Sequence, residues 1–204
     1  VFCEKRVTDV HPNLSKGTVS GTASFEIENT TGTEQEVAFA LNPGYKVNSV
    51  QANGQPVPFQ IDDYQESNMA LLNVTIPALE SIDLCFDYHG FPQDWNLMET
   101  MQGKPEISSK YLCLENQALA PAIMNAGIAD GTFSSITNIT LPDTMTVIPF
   151  GLAEAKKEAE HDNGTITWRI EDTENRGILY AGDYVRQDIE AVGTTIQFYY
   201  GRKH

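Results

Sequence analysis

The sequence is poor in cysteine and lacks the short motifs that identify most hydrolases and nucleotide-binding proteins. Its three cysteines, Cys3, Cys85 and Cys113, lie far apart and form no C-x-x-C pair, so neither a zinc-finger nor a dithiol redox motif is present. No H-E-x-x-H, no G-x-S-x-G and no glycine-rich phosphate loop occurs, which leaves no catalytic or metal-binding signature in the chain. Cys85 and Cys113 lie in apolar, strand-like segments, which favours buried free thiols over a disulfide.

Basic residues are also scarce. The chain has 13 lysine and arginine residues against 28 acidic ones, a formal net charge of -15. Because this charge repels phosphate backbones and anionic lipid headgroups, we predict no nucleic-acid binding. The sequence has no signal-peptide pattern and no run near the ~20 apolar residues that span a bilayer. A start at Val1 and an end at His204, directly after a predicted strand, suggest a piece of a longer protein.

Alternation of apolar and polar residues with a period of two dominates the chain. Residues 22–28, 82–88 and 195–200 have it most clearly, and such alternation places one face of a strand on a core and the other in solvent. Asn53-Gly54 supplies the positive φ angles of a tight hairpin. About ten or more such strands, with turn signals between them, predict an all-β fold: a curved sandwich of antiparallel sheets, in one domain over residues 1–204.

Three segments depart from the strand pattern. Residues 91–110 and 120–132 contain proline, glycine, alanine and asparagine without alternation, and we predict two long loops there. Residues 152–160 are Leu-Ala-Glu-Ala-Lys-Lys-Glu-Ala-Glu, all strong helix formers. A strand precedes this segment, and an Asn-Gly turn and a strand follow it. We predict a strand here, because pairing with neighbours overrides helix propensity.

Adjacent carboxylates are candidates for acid–base chemistry. The chain has Asp62-Asp63 and Glu171-Asp172, and glycosidases need two carboxyl groups roughly 5 to 10 Å apart in space. Both pairs lie beside predicted turns, and a chain with 28 acidic residues has such pairs by chance. Solvated surface charge is therefore the favoured interpretation.

Two tryptophans and one histidine are candidates for binding. An exposed indole ring can stack on a sugar, and Trp95 lies in the predicted loop over residues 91–110. Trp168 alternates with Ile166 and Ile170, so we assign it to the core. His89 ends a strand beside a glycine, where an ordinary polar strand-end residue is the favoured interpretation.

Taken in order, several segments resemble the N-terminal domain of the zinc aminopeptidase family typified by aminopeptidase N. Each segment is short, and the shared order carries the resemblance, which covers nearly the whole chain. The segments are 20–27 (Ser-Gly-Thr-Ala-Ser-Phe-Glu-Ile), 41–54 (opening Leu-Asn and closing Asn-Gly), 74–77 (Val-Thr-Ile-Pro), 86–90 (Phe-Asp-Tyr-His-Gly), 139–142 (Ile-Thr-Leu-Pro) with Gly151, and 181–184 (Ala-Gly-Asp-Tyr).

The resemblance implies a saddle-like β-domain that lies over a catalytic domain of the same chain. The family's zinc ligands come later in the chain, so no metal ligand and no cofactor is expected in these residues. The family's N-terminal domain lends the active site one Gln or Glu that receives the free α-amine of the peptide substrate. The matching position here is Gln117, with Glu115 as the alternative. A Gln carbonyl or a carboxylate accepts hydrogen bonds from an ammonium group; an ordinary polar strand-end residue stays the competing interpretation.

Three functions remain open from the sequence. The first is the non-catalytic N-terminal domain of a zinc-aminopeptidase-like protein, which caps the active site and helps bind the substrate's free N-terminus. The second is a scaffold or interaction module, such as the extracytoplasmic domain of a bacterial ABC-transporter-permease-like protein with membrane-embedded segments. The third is a carbohydrate-binding sandwich that uses Trp95. An extracytoplasmic or membrane-attached location is favoured, and a cytoplasmic one stays open.

Overall fold

A computed structural model describes residues 1–63, 70–97, 101–124, 133–151, 153–173 and 177–202. Strands account for most of these residues, and a short 3-10 helix at Asn116–Ala118 follows one of them. No helix in the described ranges is long and apolar enough to cross a membrane. The strands, in chain order, are β1 (Phe2–Asn13), β2 (Thr18–Glu28), β3 (Gln35–Leu41), β4 (Tyr45–Ala52), β5 (Gln55–Pro56), β6 (Gln60–Asp63), β7 (Ala70–Ile76), β8 (Ser81–Gly90), β9 (Trp95–Leu97), β10 (Met101–Gly103), β11 (Glu106–Ile107), β12 (Tyr111–Glu115), β13 (Ala122–Ile123), β14 (Ser134–Pro142), β15 (Thr146–Ile148), β16 (Glu154–His161), β17 (Thr165–Asp172), β18 (Ile178–Gly182), β19 (Tyr184–Ala191) and β20 (Thr194–Gly201).

Eight strands form the large sheet, in the order β16-β17-β14-β1-β2-β8-β4-β5. Neighbours pair antiparallel except β1 and β14, which run parallel with Val7 opposite Ile136. Along β1, side chains alternate between the two faces, so that Thr8 and Val10 are buried while Asp9 and His11 lie on the outer face. One face of this sheet therefore belongs to the core, and the other is polar.

Two four-stranded sheets complete the body of the domain. Their orders are β13-β3-β7-β6 and β11-β12-β18-β15. The buried residues of these sheets and of the large sheet form one hydrophobic cluster. Two further pairs, β9 with β10 and β19 with β20, form small separate sheets.

A triangle of phenylalanine rings joins the large sheet to the first of the small ones. Phe25 on β2 and Phe86 on β8 contact Phe39 on β3, with ring centroids 5.1 Å apart for Phe25–Phe39 and 4.7 Å apart for Phe39–Phe86. All three rings are fully buried, and burial of each contributes about 1.5–3 kcal/mol to stability. This packing of sheet on sheet confirms the predicted all-β sandwich.

The segment of strong helix formers is a strand, as predicted. β16 pairs antiparallel with β17, with a bulge between Lys157 and Ala159. It is the edge of the large sheet, and nearly all its residues are exposed. Charged side chains on an edge strand oppose pairing with another chain. The lysines and glutamates are therefore explained by the edge position, and the pairing with β17 overrides their helix propensity. Leu152 lies outside the described residues.

The prediction of a continuous loop over residues 91–110 is wrong, because β9, β10 and β11 fall within it. Trp95 on β9 lies against Gly103 on β10, where a side-chain Cβ would overlap the indole ring. Of the second predicted loop, β13 forms a strand at Ala122–Ile123, and residues 125–132 lie outside the described residues. Strand β1 was not apparent in the sequence analysis, because charged residues occupy both of its faces.

All three cysteines are free; Cys3 and Cys113 are buried and Cys85 is half-buried. Burial raises the pKa of the Cys3 thiol to about 12. Burial, together with the nearby Glu115 carboxylate, raises the pKa of the Cys113 thiol to about 11. Both thiols therefore stay protonated at neutral pH and are poor nucleophiles and poor metal ligands.

Candidate functional site

Gln117 lies in the 3-10 turn that follows β12. The inward side chains of this strand, Leu112 and Leu114, are fully buried. The Gln117 side chain is only 5% exposed, and its Oε1 accepts no hydrogen bond from the described residues. An unpaired buried carbonyl costs about 1–3 kcal/mol, so this oxygen is an unsatisfied acceptor among the described residues.

Two buried tyrosines of the large sheet hold the turn in place. The hydroxyl of Tyr45 on β4 donates to the carbonyl of Ala118. The hydroxyl of Tyr88 on β8 donates to the carbonyl of Leu119, with an O–O distance of 2.5 Å. The two rings pack with centroids 5.2 Å apart. Burial raises the pKa of both tyrosines well above the usual range, so both hydroxyls remain donors.

Glu115 is the last residue of β12 and is half-buried. Its Oε1 accepts a hydrogen bond of 2.6 Å from the hydroxyl of Tyr180 on β18, and the Cys113 thiol lies 3.8 Å from the same oxygen. The hydrogen bond to Glu115, and then burial, raises the pKa of Tyr180 well above its usual range. The protonated phenol therefore holds the carboxylate in one orientation.

The two predicted site residues thus lie two positions apart at one end of β12, each with a defined environment. Gln117 offers a neutral acceptor and Glu115 a carboxylate, and both can receive an ammonium group. The sequence analysis missed Tyr180, Tyr45 and Tyr88. Tyr180 reaches Glu115 only because β18 pairs with β12. These two strands are far apart in the chain, so no local sequence pattern indicates the contact.

The carbohydrate hypothesis based on Trp95 is wrong. Trp95 is 3% exposed and packs in the hydrophobic core against Gly103, so its ring cannot stack on a sugar. Trp168 is buried, as predicted. Glu171 pairs with Arg169 at 2.7 Å on the surface, whereas Asp172 is buried. These two carboxylates point to opposite faces of β17 and therefore share no site.

A zinc site does not fit the described residues. No group of three or more His, Cys, Asp or Glu side chains lies close enough to hold a metal ion in the part of the chain that the structure describes. The two buried thiols have raised pKa values, which disfavours the thiolate that zinc requires. We therefore assign no zinc ligand to these residues.

Comparison with known proteins gives matches in structure but not in sequence. No protein-family model and no curated protein matches the chain. Among solved structures, an M1 zinc metallopeptidase from Deinococcus radiodurans bound to the substrate Tyr-Ser-Ala matches 97% of this chain, with a TM-score of 0.68 and 13% identity. A two-domain M1 zinc metallopeptidase bound to L-tryptophan matches with a TM-score of 0.66 and 13% identity.

A third match is native leukotriene A4 hydrolase from Saccharomyces cerevisiae, with a TM-score of 0.61, 15% identity and 96% of this chain covered. The chain spans about half the length of the first matched structures (46% and 47%) and 31% of the yeast hydrolase. Nearly all of this chain therefore corresponds to a part of each larger protein. The chain has the fold of the N-terminal β-domain of the M1 zinc metallopeptidases.

Proposed function

We propose that this chain is the non-catalytic N-terminal domain of a zinc-aminopeptidase-like protein, and that Gln117 and Glu115 receive the free α-amine of a peptide substrate. The observation that carries the proposal is the buried Oε1 of Gln117, which has no hydrogen-bond partner among the described residues. It lies at the strand end that the resemblance selects. In this proposal the catalytic zinc belongs to a further domain of the same polypeptide.

The chemistry of the two acceptors suits an ammonium group. A protonated amine has three N–H donors, and the Gln117 carbonyl can accept one of them once this buried oxygen is uncovered. Tyr45 and Tyr88 fix the turn that carries it. Glu115 adds the negative charge, and Tyr180 orients it. Hydrogen bonds between charged groups are shorter and stronger than neutral ones. An acetylated amine has lost both the charge and two donors, so the pair selects free N-termini.

The last hairpin supplies a surface for the second domain. In the β19–β20 register, alternate residues form an apolar face that is exposed to solvent, and its large members are Ile189, Ile196, Phe198 and Tyr200. The opposite, polar face includes Arg186, Thr195 and Gln197, which border a gap beside β16. A two-stranded sheet is only marginally stable by itself, and an exposed apolar face is typical of an interface. We propose that a catalytic domain of the same polypeptide covers this face.

A titration with amino-acid amides tests the amine site. The ¹⁵N-labelled chain is titrated with L-phenylalanine amide and with its N-acetyl derivative. We expect the free amine to shift resonances of residues 114–119 with a dissociation constant in the range of about 1–10 mM, as expected of one half of a binding site. The acetylated amide should cause no such shift. Hydrolysis of aminoacyl-nitroanilides by the chain is not expected.

Two variants separate the site from its surroundings. Gln117→Ala should weaken binding of the free amine about tenfold or more, since a hydrogen bond to a charged donor contributes about 1.5–3 kcal/mol. Gln55→Ala, on an exposed strand of the large sheet, serves as the matched control and should leave binding unchanged. Equal shifts with free and acetylated amides would contradict the amine site.

The second candidate is an interaction module without a peptidase role, such as the extracytoplasmic domain of a permease-like membrane protein. The feature that favours it is the same exposed apolar face of β19–β20, which a protein partner could cover as well as a catalytic domain could. The amide titration discriminates between the two, because a scaffold needs no acceptor for an amine. Absence of any shift at residues 114–119 would favour the scaffold.

A further inference from the structure

The outer face of the large sheet has a hollow of about 320 Å³ at one end of β2, β4 and β8, apart from the amine site. Such a volume is at the lower limit of small-molecule sites. The hollow combines an apolar wall, hydroxyl groups and cationic or ring-nitrogen groups. Its lining residues are Thr18, Val19, Ser20, Gly44, Lys46, His89, Gly90 and Phe91.

Two glycines form the floor of the hollow. A Cβ added to Gly44 would overlap the carbonyl oxygen of Phe91, and one added to Gly90 would overlap the carbonyl oxygen of Gly44. Gly90 also has a φ of 156°. The two backbones can approach this closely only because neither residue has a side chain.

The rim of the hollow is held rigidly by a buried amide. The Oδ1 of Asn42 accepts hydrogen bonds from the backbone N–H groups of Gly44 and Gln93, at 2.9 and 3.0 Å, and its Nδ2 donates to the Gln93 carbonyl at 3.0 Å. Asn42 is fully buried. The N–H of Phe91 donates to the Gly44 carbonyl at 3.1 Å. The position of the Phe91 backbone is therefore set before any ligand arrives.

The hollow is also lined by the ammonium group of Lys46, in a protein with a strongly negative net charge. Lys5 pairs with Glu26 and Lys156 with Glu154, whereas Lys46 makes no ion pair with a described residue. In the sheet register Lys46 lies opposite His89, and His89 lies opposite Ser20 on its other side. A row of an ammonium group, an imidazole and a hydroxyl thus crosses three strands.

The nearest acidic side chain on the same face of β8 has another partner. Asp87 lies two residues before His89, and its Oδ1 accepts a hydrogen bond of 3.0 Å from Asn48. Lys46 and Phe91, which is 59% exposed, line the same hollow. A ligand that matches both features carries a negative group and an apolar group side by side.

We propose that this hollow is a binding site for a small organic anion, a carboxylate attached to an aromatic or aliphatic group. Lys46 is the charge partner, Ser20 and His89 are hydrogen-bonding partners, and Phe91 is the apolar wall. The site is independent of the amine site, because it uses the outer face of the large sheet and no residue of β12 or its turn.

The test uses 3-phenylpropionate as the probe, titrated into the ¹⁵N-labelled 204-residue chain at neutral pH. We expect shifts at residues 18–20, 44–46 and 89–91 with a dissociation constant of about 1–10 mM, typical of a small half-open site. The neutral 3-phenylpropanamide and plain acetate should each bind at least about threefold more weakly, because each lacks one of the two features. N-acetylphenylalanine, titrated in the same way, distinguishes two origins of the carboxylate. If it binds more tightly than 3-phenylpropionate, the ligand is a peptide C-terminus; if it binds equally or more weakly, the ligand is a free acid.

Three variants make the test specific. Lys46→Gln and Phe91→Ala should each weaken binding of 3-phenylpropionate roughly three- to fivefold, as loss of one exposed charge pair or one apolar contact does. Lys110→Gln removes an exposed lysine near β12 and is the charge-matched control. Thermal melting verifies that all three remain folded. Equal loss in Lys46→Gln and Lys110→Gln would mean non-specific charge attraction and overturn the proposal, as would shifts confined to other residues.

Discussion

Replacement of Tyr88 by phenylalanine is expected to destabilise the domain and loosen the turn that carries Gln117. The Tyr88 hydroxyl donates to the Leu119 carbonyl at 2.5 Å, and both the ring and its surroundings are fully buried. The variant keeps the ring and removes only the donor, so that a buried carbonyl loses its partner. Such a loss costs about 1–3 kcal/mol. For a domain of this size, a loss of about 2 kcal/mol lowers the melting temperature by roughly 4–8 °C.

Urea denaturation of the wild type and the variant measures this loss directly. Tyr199→Phe is the matched control, because the Tyr199 hydroxyl donates to Gln197 at 3.2 Å on the exposed hairpin, where loss of a hydrogen bond changes stability by less than about 0.5 kcal/mol. In Tyr88→Phe, the amide resonances of residues 117–119 should also shift. A stability loss in Tyr88→Phe no larger than in Tyr199→Phe would refute the idea that this hydroxyl anchors the turn.

Four further outcomes are expected. Burial raises the pKa of Tyr88 above its reference of 10.0, so the folded state disfavours the phenolate. The contribution of Tyr88 to stability is therefore complete below pH 10 and declines as the pH rises further. Urea unfolding across that range should show a smaller decline in Tyr88→Phe. Phe39→Ala should lose about 3–5 kcal/mol of unfolding free energy, since it removes one of three buried rings that contact one another. Glu115→Gln should bring the pKa of Tyr180 back toward its usual range in an ultraviolet titration, and weaken binding of phenylalanine amide roughly threefold. Phe198→Thr should reduce binding of the dye ANS while stability changes by less than about 0.5 kcal/mol, because this ring is exposed.

The strands with one apolar face were predictable from the sequence. In β8, Ile82, Leu84, Phe86 and Tyr88 alternate with exposed or half-buried residues, as the pattern indicates. β1 did not follow this rule, because Arg6 and Thr8 occupy buried positions where apolar residues are expected. Buried polar residues conceal a strand from any analysis that relies on hydrophobicity alternation.

Pairings between distant segments could not be predicted. The neighbours of Trp95 predict a loop, but β10 returns beside it and places Gly103 under the ring. In the same way, Gln117 and Glu115 were identified by resemblance, whereas Tyr180, which holds Glu115, is distant in sequence and becomes its neighbour only through the β12–β18 pairing. Local patterns specify strands and faces; the order of strands in a sheet depends on the whole chain.

The most direct test of the proposed function is a crystal structure of this chain with L-phenylalanine amide. The proposal predicts the ligand's ammonium nitrogen within about 3 Å of Gln117 Oε1, with the Glu115 carboxylate beside it and the Tyr180 hydroxyl still bound to that carboxylate. A structure in which Gln117 Oε1 is bound to another protein group, with the amide elsewhere or absent at saturating concentration, would contradict the amine site.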